Sequence, residues 1–277
     1  EEVDGVESST NVSLIYKPIE KLTNKFTVAN TYIKRVYGET PNSNNTKQDK
    51  YYGERYAFLY QGNYNFDLDS SVVFGLERED DQMGRDLNAA GTVNSNAYVT
   101  SQYFDYQRRI TNNIYGTFGA RFDEHSLAGG TGSNEDSHRA TLAYVFDDKT
   151  TKLKSSYGTG YRFPSLFEMK YAYRAGSNTL PFVKAETSQS YDFGIEKSIS
   201  PNLFIDLTYF NVKYFNALEG WKSNTAGGTS STQNTIATVK SQGIELMSKY
   251  KLNELFNFGL NYTYTSSYDG ADEDNLS

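Results

Sequence analysis

Leu203-Phe204-Ile205-Asp206-Leu207-Thr208-Tyr209 decides the fold. Successive side chains of an extended chain point to opposite faces. Leu203, Ile205, Leu207 and Tyr209 therefore share one face, while Phe204, Asp206 and Thr208 share the other. Residues 256–264 repeat the pattern, with Phe256, Phe258, Leu260, Tyr262 and Tyr264 opposite Asn257, Gly259, Asn261 and Thr263. Residues 56–66 set Tyr56, Phe58, Tyr60, Tyr64 and Phe66 against Gln61, Asn63 and Asn65. The same alternation runs through 114–122, 153–161 and 187–195, whereas helical spacing fits almost nowhere. These are strands with one apolar face and one wet face.

Working outward, about twelve such segments fill the chain, near 11–19, 24–37, 50–66, 70–80, 96–109, 113–124, 137–147, 151–162, 187–198, 202–215, 235–251 and 254–267. The connections alternate in kind. Short ones lie at Glu20-Lys21, 67–69, 110–112, Asp148-Lys149, Ser200-Pro201 and Asn253. Long polar ones cover 38–49, 81–95, 125–136, 163–186 and 216–234. Tight turns on one rim and long loops on the other describe an outer-membrane barrel. A soluble β-sandwich would have strands of about 5–6 residues, whereas most segments here reach the roughly 9–11 residues that cross a bilayer at a tilt. The expected fold is all-β: a transmembrane antiparallel up-and-down β-barrel, here a partial one of about twelve strands out of a larger barrel. Leu203, Ile205, Leu207, Phe256, Phe258 and Leu260 are expected to face lipid. Asp192, Asp206, Glu245, Asn257 and Asn261 are expected to face the lumen.

Composition agrees and excludes several alternatives. Among 277 residues there are 24 Tyr and 17 Phe, too many aromatics for a disordered chain. Mean hydropathy is −0.66, low for a domain that must fill a compact core. With no Cys, a disulfide scaffold, a thiol nucleophile and Cys-based metal sites are ruled out. No apolar run is long enough for a transmembrane helix, and no basic region followed by an apolar stretch marks a secretory leader. A net charge of −7 argues against a nucleic-acid partner.

Three stretches carry a family resemblance. Tyr157-Gly158-Thr159-Gly160-Tyr161-Arg162-Phe163-Pro164-Ser165-Leu166-Phe167-Glu168 resembles the segment of TonB-dependent outer-membrane receptors that leaves a barrel strand for a long external loop. Lys184-Ala185-Glu186-Thr187-Ser188-Gln189-Ser190-Tyr191-Asp192-Phe193-Gly194-Ile195-Glu196 resembles the family's return from loop to strand, with Ala185 where Pro is usual. Ala237-Thr238-Val239-Lys240-Ser241-Gln242-Gly243-Ile244-Glu245-Leu246 is similar to its Gly-(Ile/Val)-Glu strand. Order and spacing agree across 96–268, while the first 95 residues match only as generic barrel strands. The resemblance implies a Gram-negative cell outer-membrane receptor whose wide barrel is closed by a plug and powered through TonB. Residues 1–277 are then expected to form one partial barrel domain of the carboxyl-terminal portion, with the plug domain absent. The implied cargo is a ferric siderophore, haem or cobalamin. The implied surroundings are outer-membrane lipid, lipopolysaccharide, the protein's own plug and the TonB system.

Other chemistry is weaker. His125, Ser126, Asp123 and His138 around a Gly-rich loop evoke a hydrolase, but such residues are common in external loops, so no enzyme, catalytic residue or cofactor is expected. The acidic run Glu77-Arg78-Glu79-Asp80-Asp81 through Asp86 could offer oxygen ligands to calcium, yet solvation or lipopolysaccharide-bound ions explain it as well, and no metal ligand is assigned. The Asn261-Tyr262-Thr263 glycosylation triplet lies mid-strand. A passive porin remains the alternative, since even strand numbers from eight upward close. For a receptor, ligand contacts are expected in the loops 163–186 and 216–234. The candidates are Phe167, Tyr171, Tyr173, Arg174 and Phe182 in the first, and Trp221 and Lys222 in the second. Aromatic faces give contact area and the cations give charge-assisted hydrogen bonds to a large, partly flat, partly anionic ligand.

Overall fold

A computed structural model describes residues 2–38, 48–87, 91–127, 132–170, 183–223, 230–234 and 238–270. In chain order the elements are β1 (Glu2–Ile19), β2 (Leu22–Gly38), β3 (Gln48–Asn65), β4 (Ser70–Leu87), β5 (Gly91–Arg109), β6 (Ile114–Leu127), β7 (Ser133–Val145), β8 (Thr151–Arg162), α1 (Leu166–Lys170), β9 (Glu186–Ser200), β10 (Leu203–Phe215), β11 (Leu218–Ser223), β12 (Ser230–Asn234), β13 (Val239–Lys251) and β14 (Asn257–Asp269). Twelve strands form one sheet in which each pairs antiparallel with its neighbour in sequence, and β10 passes directly to β13. The hairpin β11–β12 stands apart from that sheet. The sheet is open: β1 and β14 each have a single partner among the described residues.

The alternation in the sequence becomes two continuous faces. Across seven strands the register sets Tyr262, Leu246, Leu207, Ile195, Leu153, Tyr144 and Ile114 side by side. None of the seven is buried, because no other element covers them. One residue along, Thr263, Glu245, Thr208, Gly194, Lys154 and Ala143 form the opposite row. The only buried hydrophobic side chains among the described residues are Ala57, Ala97 and Ala185. A water-soluble domain of this size would hide a large apolar core. Here the apolar side chains point outward, with Phe58 54%, Phe193 56% and Leu260 57% exposed. The expected register holds: Asp192, Asp206, Glu245 and Asn261 line a cavity of about 870 Å³ on the inner face, and Leu207, Phe258 and Leu260 lie on the outer one.

Close backbone approach explains one glycine of the Gly-Ile-Glu strand. A Cβ on Gly243 would run into the Tyr264 carbonyl oxygen and come within 2.7 Å of the Phe210 ring. Several of the short turns share a device in which a side-chain oxygen accepts backbone N–H groups. Asp67 accepts from the Asp69 N–H at 2.8 Å, Asp148 from Thr150 at 2.8 Å and Thr151 at 3.0 Å, and Asn253 from Leu255 at 2.9 Å and Phe256 at 3.0 Å.

On the long-loop rim the structure departs from the sequence reading in several places, the start of β1 at Glu2 instead of near residue 11 and the run of β6 to Leu127 among them. The stretch 81–95, expected as a loop, is mostly strand, because β4 runs to Leu87 and β5 starts at Gly91. Its polar residues obscured the alternation, since Asp81, Gln82, Gly84, Arg85 and Asp86 leave neither face apolar; just before it, Glu77 and Glu79 fall on the inner face while Arg78 and Asp80 fall on the outer. Arg78 pairs with Asp80 at 2.9 Å and lies 3.8 Å from the Tyr98 ring centre. The expected loop 163–186 contains α1, and 216–234 contains the β11–β12 hairpin. No helix among the described residues is long and apolar enough to cross a membrane.

Candidate ligand-facing wall and loop junction

The inner face carries a ladder of opposite charges set by the register. On β3 and β4, Arg55 reaches Asp81 at 2.6 Å and Glu79 at 3.2 Å. Arg121 on β6 reaches Glu77 at 2.7 Å and Asp123 at 2.9 Å, and donates to the Ser101 hydroxyl at 2.8 Å. Arg139 on β7 meets Asp105 at 2.8 Å. Further round, Lys152 meets Glu196 at 2.8 Å, and Lys154 lies between Glu196 at 3.2 Å and Asp206 at 2.7 Å. Ser156 donates to Asp192 at 2.6 Å. Partly exposed pairs of this kind contribute about 0–1 kcal/mol each, so the ladder sets side-chain positions more than it holds the sheet together. It makes the inner wall a wet, ion-paired surface.

Towards the long-loop rim that wall changes character at the end of β8. The β7–β8 ladder stops at Arg139 opposite Gly158, and the Thr159 hydroxyl then accepts the His138 N–H at 2.9 Å. β8 continues on β9 alone, up to Arg162 opposite Glu186. The chain now leans over the inner wall, where the Phe163 ring stacks on buried His125 with centres 4.6 Å apart and planes 17° apart. A cavity of about 840 Å³ opens there, lined by Arg55, Glu79, Arg121, His125, Phe163 and Met169.

Ser165-Leu166-Phe167-Glu168 then forms a capping box. The Ser165 N–H donates to Glu168 Oε2 at 2.7 Å, and the Glu168 N–H donates to Ser165 Oγ at 3.2 Å. Arg162 Nη1 donates to both Glu168 oxygens, at 3.2 and 3.0 Å. Burial works against the charged form of Glu168, yet the Ser165 N–H, Arg162 and the Ser165 hydroxyl outweigh it and hold the carboxyl below its ordinary value. Arg162 Nη2 lies 3.9 Å from Glu186 Oε2, and the same oxygen accepts the Leu218 N–H at 2.9 Å. The ends of two long loops therefore meet at one junction.

Of the residues expected to bind ligand, Phe167 lies in α1, and Trp221 and Lys222 lie in β11, where Lys222 is opposite Ser231. Tyr171, Tyr173, Arg174 and Phe182 lie outside the described residues. The Glu186–Leu218 bond brings the two expected loops together at their roots. Sequence reasoning missed Arg162, Glu168 and Glu186 as a group. The Ser-x-x-Glu spacing was the available signal for the first half. The imagined hydrolase does not assemble: Asp123 is held by Arg121, His125 is stacked on Phe163, and neighbouring Ser126 falls on the opposite face of β6. His138 has Asp136 at 3.4 Å. Among the described residues, no three His, Asp or Glu side chains stand together as a metal site, and the carboxylates of 77–81 are divided between the two faces.

Comparison with known proteins agrees with this architecture. The family described as TonB dependent receptor-like, beta-barrel, matches residues 5–277. No curated protein sequence matches the chain. Among solved structures, the copper transporter OprC superposes with a TM-score of 0.79 at 14% identity, over 98% of this chain and 48% of its own. The Serratia marcescens hemophore receptor HasR, solved as a double mutant with its hemophore HasA and heme, gives 0.75 at 17% identity, over 95% and 48%. The siderophore receptor PirA from Acinetobacter baumannii gives 0.73 at 15%, over 96% and 45%. The chain thus spans about half the length of the structures it matches.

Proposed function

Because the chain belongs to the TonB-dependent receptor β-barrel family, we propose that it supplies about half of the wall of an outer-membrane receptor importing a scarce, large nutrient. A ferric siderophore, haem or cobalamin is the cargo class, and the chain has no catalytic role. The observation that carries this reading is the inner face. Twelve open strands already present a polar, ion-paired wall, and a barrel wide enough to use it cannot be filled by its own side chains. Such a lumen takes a plug, and the ladder from Arg55 to Asp206 offers the donors and acceptors to seat one. The uncovered outer face takes outer-membrane lipid, with lipopolysaccharide at the long-loop rim. Loops carry recognition because strands are committed to lipid, lumen and ladder. Phe167, Tyr171, Tyr173, Arg174, Phe182, Trp221 and Lys222 are accordingly the ligand-contacting candidates.

The test places the complete protein in a Gram-negative host stripped of its own receptors and follows uptake of labelled ferric siderophores, haem and cobalamin. Saturable uptake of one of these, lost when TonB is deleted, is the expected result. Non-saturable, TonB-independent passage of small solutes would replace the receptor by a porin. Single changes Tyr171→Ala, Arg174→Ala and Trp221→Ala, at normal surface levels, are expected to weaken whole-cell binding. Unchanged affinity in all three would move the contacts to the plug and the inner wall.

A further inference from the structure

We propose that Arg162 and Glu186 are positioning residues that tie α1, just after β8, to β11, just after β10. Arg162 is the last residue of β8 and lies directly opposite Glu186, the first of β9. This cross-strand pair is the fixed platform, because both backbones are still in the ladder there. From it one arm reaches forward: Nη1 of Arg162 grips both oxygens of Glu168, which in turn caps α1 through Ser165. The other arm reaches across: Glu186 Oε2 accepts the N–H of Leu218, a residue 32 positions away at the start of β11. The run Ser165, Glu168, Arg162, Glu186 and Leu218 is therefore continuous from one loop to the next.

The charges explain why the link is conditional. One guanidinium stands between two carboxylates: Nη1 donates to Glu168, while Nη2 holds Glu186 Oε2 as an ion pair at 3.9 Å. Without it both carboxylates lose their shared counter-charge, so the α1 and β11 arms are no longer joined. Without Glu186 only the β11 arm is cut, and without Glu168 only the α1 arm. In the receptor reading above, on which this consequence rests, a ligand held at α1 then also acts on β11, and the reverse. The link itself requires no ligand.

Hydrogen exchange followed by mass spectrometry on the complete receptor in detergent, without ligand, tests the link apart from the transport reading. Glu186→Ala is expected to speed exchange in 216–223 on the order of tenfold or more, as loss of a charge-assisted hydrogen bond does, and to leave 165–170 unchanged. Glu168→Ala is expected to do the reverse. Arg162→Ala is expected to speed both segments, with strands 187–214 as protected as before. Glu186→Gln is the conservative variant. Its amide oxygen still accepts the Leu218 N–H but without the ion pair to Arg162, so protection of 216–223 returns in part, to about the level Arg162→Ala leaves, which a general loss of structure would not allow. Unchanged exchange in 216–223 for Glu186→Ala, or equal effects on both segments from Glu168→Ala, would overturn the proposal.

Discussion

At the scale of single residues, which face a side chain occupies decides what it can be. Leu207 and Thr208 are neighbours in β10, yet Leu207 stands in the uncovered apolar row and Thr208 beside Gly194 and Glu245 on the inner wall. Leu207→Arg is expected to cost up to about 2–4 kcal/mol in lipid, the price of a cation at mid-depth. Thr208→Arg, one position along, is expected to cost under about 1 kcal/mol, since it joins an ion-paired surface. Urea unfolding of the complete barrel in lipid vesicles separates them, and equal losses would mean that the two faces are exchanged. Gly243 is a different case, governed by space. Any side chain there meets the Tyr264 carbonyl and the Phe210 ring, so Gly243→Val is expected to cost about 1–3 kcal/mol from overpacking, read in the same unfolding measurement.

At the scale of elements, turns and caps determine where strands end. In the β7–β8 turn Asp148 accepts two backbone N–H groups, the Thr151 hydroxyl at 2.9 Å and the Lys197 ammonium at 3.0 Å. The Thr150 N–H first, and Lys197 next, hold its carboxyl well below the ordinary aspartate range. A carboxyl depressed in the folded state contributes stability that is complete above the unfolded value near 3.8 and is lost as pH falls through the folded one. Acid titration to about pH 2–4 is thus expected to weaken this hairpin, and Asp148→Ala to flatten that part of the pH profile. A profile unchanged by the substitution would count against the turn's role. The strands between such turns were legible in the sequence wherever an apolar face enforced period two, as in β10 and β14. The extension of β4 beyond residue 80 was not, because Asp81-Gln82-Met83-Gly84-Arg85-Asp86 offers no apolar face to alternate. Nor was β11–β12, where Leu218-Glu219-Gly220-Trp221-Lys222-Ser223 is too short, and Ser230-Ser231-Thr232-Gln233-Asn234 too uniformly polar, to show a period of two. Arg162 and Glu186 were visible as motif residues, but their pairing spans 24 positions and becomes apparent only when β8 and β9 are in register.

At the scale of the whole molecule, the open edges govern behaviour. β1 and β14 each present one row of N–H and C=O groups with no ladder partner among the described residues. In water an unpaired strand edge templates pairing with another chain, and in hydrocarbon each unsatisfied backbone group costs several kcal/mol. The uncovered outer row from Tyr262 to Ile114 adds a broad apolar surface to the same problem. Residues 1–277 expressed alone are therefore expected to associate through both edges and fail to insert as a monomer. The same residues within a complete barrel are expected to insert into vesicles and to migrate on unheated gels as a compact species that heating unfolds. Both constraints act through backbone hydrogen bonds, so side-chain changes on the inner wall, such as Lys154→Ala, should leave the outcome unaltered. Monomeric, heat-modifiable insertion of residues 1–277 alone would show that these twelve strands can close on themselves. It would also favour the porin reading, because closure by twelve strands leaves a narrow lumen with no room for a plug.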